Sequence, residues 1–204
     1  MGRSVNSNRC FASCTVLAAI FLAAASFASA QEFKPGAYPP LQIGSPAAEY
    51  RIEIFNDFQC PASAEFFKIY KALAAKYPDQ VVVTFRNFPL RQHKNGLLAA
   101  KAVEAAAQQG KFLEMMTIIY DSQEAMKEAG PSPELFATYA KAIGLDLERF
   151  TLDVDGQLAQ DRINFDLERA KALGVSGTPW VLLNDRPMPY GEAHDMETTI
   201  FHNK

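Results

Sequence analysis

The pattern of apolar and polar positions predicts a β-α-β unit in the first half of the chain. Tyr50–Asn56 (YRIEIFN) is rich in β-branched and aromatic residues and predicts a strand, and Val81–Asn87 (VVVTFRN) predicts a second, more apolar strand. Between them, apolar residues recur at helical spacing from Cys60 and Pro61 to about Tyr77. Proline suits the first helical position because its missing N–H would be unpaired there. Two strands joined by such a helix run parallel.

A block of helices is predicted after the second strand. Helical periodicity, with glycines and a Ser-Pro pair at the expected ends, places these helices at 97–109, 112–123, 133–143, 147–154 and 157–173. Three elements then close the chain: a strand at Trp180–Leu183, a proline-limited edge strand at 186–190 and a helix at Met196–Phe201. This order predicts an α/β fold with a central mixed sheet and a helical insertion at about 95–156.

The first 30 residues have the layout of a secretory signal peptide. Two arginines precede an apolar run of about 13 residues over 15–27, and the small-residue triplet 28–30 (ASA) suits a signal peptidase. A membrane anchor is the alternative, but the run is shorter than the ~20 residues that span a bilayer. We therefore expect cleavage after Ala30, a proline-rich extended arm over 31–48, and a domain over 49–204 with no membrane span.

Charge narrows the classes of partner. The formal net charge is −3, and removal of the arginine-bearing leader makes the remaining chain more acidic. A mildly acidic surface gives no reason to expect nucleic acid or anionic lipid as a partner. The leader places the expected location in the periplasm or outside the cell.

Cysteine usage is the most informative part of the composition. Of three cysteines, Cys10 and Cys14 leave with the leader and Cys60 remains, so the exported chain cannot form an internal disulfide. At the start of a helix, unpaired N–H groups and the helix dipole favour the thiolate, which is the nucleophile in disulfide exchange. The alternative is a buried, inert thiol.

Five short segments, the first of which contains Cys60, follow one another along the chain: 55–63 (FNDFQCPAS), 86–90 (RNFPL), 99–102 (AAKA), 109–112 (QGKF) and 173–179 (LGVSGTP). Together they resemble the DsbA-like group of the thioredoxin-like superfamily, over roughly 45–183. The resemblance implies a thioredoxin-like fold and thiol–disulfide chemistry at Cys60. It also implies that Pro179 is a cis-proline, that Thr178 offers its backbone to a bound peptide, and that Pro61 lies beside the substrate. An ordinary turn proline is the alternative for Pro179.

The chain departs from that family's usual pattern at two positions. Ser63 stands where the second cysteine of Cys-x-x-Cys is usual, and Ile54 stands where many relatives carry a buried acid. Glu53 is adjacent to Ile54, but alternate residues of a strand face opposite sides, so it is expected to point away. Ser63 is predicted either to donate a hydrogen bond to the Cys60 thiolate or to pair with the backbone as a first-turn serine.

Several nearby side chains have competing interpretations. Trp180 is interpreted as a core residue of its strand, with the rim of a peptide groove as the alternative. Asp57 and Gln59 border the site and are interpreted as solvated loop residues, with electrostatic tuning of the site as the alternative. His93 follows the second strand, but with the other two histidines far along the chain the pattern predicts no metal site.

Two functions are compatible with these residues. In the first, an exported monothiol exchange protein uses Cys60 and Ser63 as catalytic residues, and an external thiol resolves its mixed disulfides. The expected partners are cysteine-containing envelope proteins or low-molecular-weight thiols, with glutathione as a candidate co-substrate and no cofactor. In the second, a redox-inactive peptide-binding or chaperone module keeps the groove beside Pro179.

Overall fold

A five-stranded mixed sheet forms the centre of the computed structural model, which describes residues 1–2 and 41–202. The strands are β1 (Leu41–Gly44), β2 (Tyr50–Asn56), β3 (Val81–Asn87), β4 (Trp180–Leu183) and β5 (Arg186–Pro187). Their order is β1-β3-β2-β4-β5; β2 and β3 are parallel, and the other neighbouring pairs are antiparallel. The predicted thioredoxin-like α/β fold is confirmed. The predicted leader, its cleavage point after Ala30 and residues 31–40 of the arm lie outside the described residues.

Helices pack against this sheet, and the run of helices that follows β3 forms a helical region. They are α1 (Pro61–Lys76), α2 (Gly96–Ala107), α3 (Phe112–Asp121), α4 (Gln123–Ala129), α5 (Pro133–Ala142), α6 (Leu147–Val154), α7 (Gln157–Leu173), α8 (Tyr190–His194) and α9 (Met196–Phe201). The helices α2 to α6 follow β3 and precede α7. Within the part of the chain that the structure describes, no helix is long and apolar enough to cross a bilayer.

The two faces of β2 meet different surroundings. Ile52 and Ile54 are buried in the main apolar core, while Phe55 belongs to a smaller cluster with Ala170 of α7. Glu53 lies on the same side as Phe55, where it is bonded to Arg169 of α7. The prediction that Glu53 points away from the side of Ile54 is therefore confirmed, since successive strand residues face opposite sides.

The predicted extended arm contains a strand that the sequence pattern did not indicate. Leu41–Gly44 pairs with the outer edge of β3 as β1, and Leu41 is buried in the main core. Gly44 ends the strand with φ +91°, a conformation that glycine adopts without a steric penalty. A four-residue segment carries too little periodicity to predict a strand, and its pairing with β3 is a long-range contact.

Two other boundaries differ from prediction. The proline-limited edge strand ends at Pro187, and Tyr190, which was placed in that strand, begins α8. Beyond Pro187 one backbone bond remains, from the N–H of Met188 to the carbonyl oxygen of Val181 at 2.9 Å, and Pro189, which has no N–H, is the N-cap of α8. The helix predicted over 112–123 breaks at Ser122, after which the unpredicted α4 begins.

Candidate active site

Cys60 lies where the chain leaves β2 and begins α1. It is the N-cap residue, with extended backbone (φ −76°, ψ 118°), and the exposed Pro61 occupies the first helical position. The side chain of Cys60 makes no capping bond, so its sulfur is directed elsewhere. The residue is 9% exposed, and its Sγ donates a hydrogen bond to the carbonyl oxygen of Thr178 at 3.4 Å.

The segment before β4 faces this sulfur. The Thr178-Pro179 peptide bond is cis, as the resemblance implied, and both residues are half-buried. Among the backbone hydrogen bonds found for residues 41–202 outside helices and strands, none involves the N–H of Thr178. The structure thus brings Cys60, Pro61, Thr178 and Pro179 together, and the Thr178 N–H remains available to a bound chain.

Ser63 has a different partner from the first one predicted. Its side chain is fully buried, and its Oγ accepts the backbone N–H of Asp57 at 3.4 Å. Among the hydrogen bonds of the described residues, none joins Oγ of Ser63 to Sγ of Cys60. Of the two predictions for Ser63, the structure therefore has the second, a bond to backbone, because the hydroxyl lies under the turn that leads into α1.

Asp57 is the main correction to the sequence interpretation, which treated it as a solvated loop residue. It is 1% exposed, and its two carboxylate oxygens accept four hydrogen bonds. Oδ1 accepts the N–H groups of Gln59 (2.7 Å) and Cys60 (3.1 Å) and contacts Nδ1 of His93 at 2.7 Å, while Oδ2 accepts the N–H of Leu90 at 2.7 Å. A carboxylate that receives several N–H groups from a turn fixes the backbone of that turn.

A glycine makes room for this buried carboxylate. Gly96 begins α2, and a Cβ placed there would lie 2.6 Å from Oδ2 of Asp57. No side chain larger than hydrogen fits at that distance without moving the carboxylate. The approach of α2 to the Cys60 turn therefore depends on this glycine.

His93 is a site residue that sequence reasoning placed only in the context of metal binding. Its ring lies against Asp57, and 24% of its side chain is exposed. Since a carboxylate can only accept hydrogen bonds, Nδ1 carries the proton and donates it to Asp57. The sequence did contain a signal: the histidine occurs in the polar stretch 91–95, between a central strand and a helix.

The helical region also supports the Cys60 turn. Gln123 at the start of α4 donates from Nε2 to the carbonyl oxygens of Phe58 (2.8 Å) and Cys60 (3.1 Å). Gln59 is half-buried, and its Oε1 accepts the N–H of Asn95 at 2.5 Å. Gln59 was also interpreted as a solvated loop residue; instead it joins this turn to the start of α2.

An apolar cleft of about 330 Å³ adjoins Pro179. Its walls include residues of α1, of β4 and of the segment that leads into α8, among them Phe66, Pro179, Trp180, Met188, Pro189 and Tyr190. Trp180 packs against the small apolar cluster of Phe55 and Leu182 and also lines this cleft. Trp180 is therefore both a packed residue of its strand and part of the wall of the cleft, so each of the two interpretations describes part of its surroundings.

A network of buried charges lies on the α7 side of the sheet. Arg169 donates to both oxygens of Glu53 at 2.6 Å each, and Arg86 bridges Glu53 (2.6 Å) and Asp166 (3.2 Å). Burial raises the pKa of Glu53, but the bonds and charges of Arg169 and Arg86 outweigh it, so its pKa is lowered overall. This network lies on the face of β2 opposite Ile54, the position where the resemblance implied a buried acid in many relatives.

The same network contains two acids whose pKa values are raised. Glu104 of α2 pairs with Arg162 and accepts a hydrogen bond from Asn87 at 2.6 Å. Burial, opposed by the charge of Arg162, raises the pKa of Glu104 to about 7. Burial likewise raises the pKa of Asp166 to about 6. In the described part of the chain, no group of three or more His, Cys, Asp or Glu side chains could hold a metal ion.

Solved structures with the same fold include thiol–disulfide proteins. The chain is similar to BdbD from Bacillus subtilis in its oxidised form, at 20% identity and a TM-score of 0.68 over 81% of this chain and 94% of that one. It is also similar to the thiol-disulfide exchange protein alpha-DsbA2 from Wolbachia pipientis, at 20% identity and a TM-score of 0.65 over 76% and 81% of the two chains. At these identities the likeness establishes a DsbA-like fold.

Curated relatives match at higher identity but over a small part of their length. The chain is 32% identical over 143 residues to the Na(+)/H(+) antiporter NhaA of Herminiimonas arsenicoxydans, which covers 70% of this chain and 22% of that protein. It is 33% identical over 133 residues to NhaA 1 of Mycolicibacterium vanbaalenii, covering 64% of this chain and 21% of that protein. The chain thus spans about a fifth of the length of these relatives.

A family model covers most of the sequence. The model described as Thioredoxin matches residues 38–200, which include all five strands of the sheet, the Cys60 turn and the cis-proline. The match and the fold agree with the resemblance inferred from the short segments around Cys60 and Pro179. The chain therefore belongs to the thioredoxin family that this model describes.

Proposed function

We propose that the chain is an exported thiol–disulfide exchange protein that works with one thiol, Cys60. The observation that carries this proposal is the position of its Sγ, 3.4 Å from the carbonyl oxygen of Thr178 at the cis Thr178-Pro179 bond. A peptide that pairs with the unbonded N–H of Thr178 would bring its own sulfur close to Sγ. Export rests on the leader over residues 1–30, and the location would be the periplasm or the exterior of the cell.

The proposed reaction is a pair of exchange steps. The Cys60 thiolate attacks one sulfur of a substrate disulfide, forms a mixed disulfide and expels the other sulfur as a thiolate. Because Ser63 occupies the place of a second cysteine, an external thiol must attack the mixed disulfide and release Cys60. One S–S bond breaks and one forms in each step, so the cycle needs no oxidant or cofactor. Glutathione or a cysteine-containing envelope protein would supply the external thiol.

The apolar cleft beside Pro179 supports a polypeptide as one class of substrate. Its volume of about 330 Å³ and its lining of aromatic, proline and methionine side chains suit an apolar side chain of an extended peptide. The backbone at Thr178 would fix the direction of that peptide, and the cleft would bind a residue beside the cysteine. The same cleft would serve the alternative function, peptide binding without redox chemistry, because it requires nothing of the sulfur.

Adduct formation at Cys60 tests the proposal. The purified protein is incubated with oxidised glutathione at neutral pH and mapped by peptide mass spectrometry, with Cys60→Ser as the control. We expect one glutathione on the peptide that contains Cys60, and its release by added thiol. If Cys60 forms no adduct, and Cys60→Ala retains full binding of cysteine-free unfolded peptides, the peptide-binding alternative replaces the exchange function.

A further inference from the structure

A second cleft, of about 390 Å³, lies between the Cys60 turn and α4. Both residues that flank Cys60 in sequence contribute to its wall, together with the turn before α2 and the start of α4; its lining includes Gln59, Pro61, His93, Lys94, Gln123 and Lys127. This volume is at the lower end of the range for small-molecule sites. Unlike the apolar cleft beside Pro179, it is lined mainly by polar and charged side chains.

His93 presents one ring nitrogen that has no hydrogen-bond partner among the residues that the structure describes. Its Nδ1–H is donated to Asp57, whose side chain is fully buried, so the exposed part of the ring is the opposite edge. Among the hydrogen bonds of residues 41–202, none involves Nε2 of His93. A neutral imidazole that donates from Nδ1 has a lone pair on Nε2, and this arrangement of carboxylate, imidazole and open cleft is that of an oriented general base.

Two lysine side chains of the cleft can contact a ligand that carries carboxylates. Lys94 and Lys127 line it, opposed by Glu124, which pairs with Lys127 at 3.8 Å. The charged groups that line the cleft with His93 are Lys94, Glu124 and Lys127, and Asp57 contacts the His93 ring from the turn after β2. Lys94 makes no ion pair among the described residues, and the pair of Lys127 with Glu124 is exposed and weak, so either ammonium group can bind a carboxylate of a small molecule.

We propose that this cleft binds the resolving thiol, a small thiol that carries carboxylates, and that Nε2 of His93 accepts its proton as it attacks the Cys60 mixed disulfide. This inference rests on the proposed exchange function and adds the binding site and the base for its second step. The thiol R–SH gives its proton to Nε2, and its sulfur forms a new S–S bond with the substrate sulfur. Cys60 leaves as a thiolate, and the imidazolium returns the proton to solvent. Asp57 is a positioning residue that holds the ring.

Such a base would have a definite, limited benefit. A thiol with a pKa near 8.5 is only a few per cent thiolate at pH 7, so complete removal of its proton gains at most about 30-fold in rate. The benefit must vanish as the pH approaches the pKa of the thiol itself. Neither Ser63 nor Ile54 can accept this proton, because a hydroxyl is a poor base and an aliphatic side chain has no basic atom.

Release of the glutathione adduct from Cys60, followed by intact mass after acid quenching, tests the proposal. His93→Asn is the informative variant, because its amide can still donate to Asp57 but offers no base. With reduced glutathione we expect release to be roughly tenfold slower than in the wild type at pH 7, and the ratio to approach one near pH 9. A purely structural role for His93 would give a ratio that does not change with pH in this way.

The ligand class has its own test. Lys127→Gln should raise the glutathione concentration that gives half-maximal release several-fold and lower the preference for glutathione over 2-mercaptoethanol, which has no carboxylate. Lys141→Gln, which removes an exposed charge on α5 outside the cleft, is the matched control. If the adduct forms and is released, but both His93→Asn and Lys127→Gln behave like the wild type, the cleft proposal is wrong while the exchange function stands. If no adduct forms at Cys60, both fail.

Discussion

Replacement of Asp57 by asparagine tests whether this buried carboxylate holds the Cys60 turn. The substitution preserves the shape of the side chain but converts one acceptor oxygen into an NH₂ group. If the remaining oxygen keeps the bonds of Oδ1, the new NH₂ faces the N–H of Leu90, and two donors oppose each other where a 2.7 Å bond existed. Loss of that charge-assisted bond costs about 2 kcal/mol.

The other bonds of Asp57 add to this cost. The N–H groups of Gln59 and Cys60 and the ring of His93 would donate to a neutral oxygen, and neutral hydrogen bonds are roughly half as strong as charge-assisted ones. With about 0.5 kcal/mol lost at each, we expect the free energy of unfolding to fall by about 3–4 kcal/mol in total. Urea denaturation with linear extrapolation measures this difference directly.

Asp79→Asn is the matched control, since Asp79 is exposed in the turn after α1 and the same chemical change there should alter stability by no more than about 0.5 kcal/mol. A loss below about 1 kcal/mol for Asp57→Asn would refute the reasoning. It would mean that the turn is fixed by the packing of α1 against the sheet, and that the carboxylate bonds make little net contribution.

Two further changes probe the packing behind the site. Gly96→Ala should lower the free energy of unfolding by about 1–2 kcal/mol, because its Cβ would push the Asp57 carboxylate out of position. The control is Gly191→Ala in α8, where the Cβ meets open space and the change should be neutral or stabilising by up to about 1 kcal/mol. Equal effects of the two substitutions would contradict this reasoning. For Glu104, the pKa is raised from 4.5 to about 7 in the folded chain, so between these pH values the folded state keeps a proton that the unfolded state releases. The stability that this proton contributes is therefore lost as the pH rises from about 4.5 to 7. Glu104→Gln, compared with the exposed Glu148→Gln in unfolding titrations, should reduce the fall in stability over that window by up to about 3 kcal/mol, and an unchanged slope would show that Glu104 is ionised throughout.

Local pattern was sufficient for most of the secondary structure. The bounds of β2, β3, β4, α6 and α7 agree with those predicted, because each is specified by composition and periodicity within its own segment. The short strand β1 and the break between α3 and α4 were not predicted. The strand β1 depends on its pairing with β3, and Gln123, the first residue of α4, bonds to the Cys60 turn; a window of a few residues contains neither contact.

The site divides in the same way. The sequence alone identified Cys60 and Pro61 at a helix start and, by resemblance, the cis bond before Pro179, because each is a local feature of a short motif. It could not identify the partner of His93, since Asp57 is 36 residues away in the chain, nor the bonds that Gln123 makes to the Cys60 turn from 63 residues away.

The sequence by itself determined most of the strands and helices and marked Cys60 as the candidate reactive sulfur. Only the tertiary structure decided which polar groups surround that sulfur: that Asp57 is buried, that Ser63 bonds to backbone, and that His93 lines a cleft. The physical reason is that a buried polar side chain takes whatever donor or acceptor the packing brings within about 3 Å, and that packing joins segments with no local relationship in sequence.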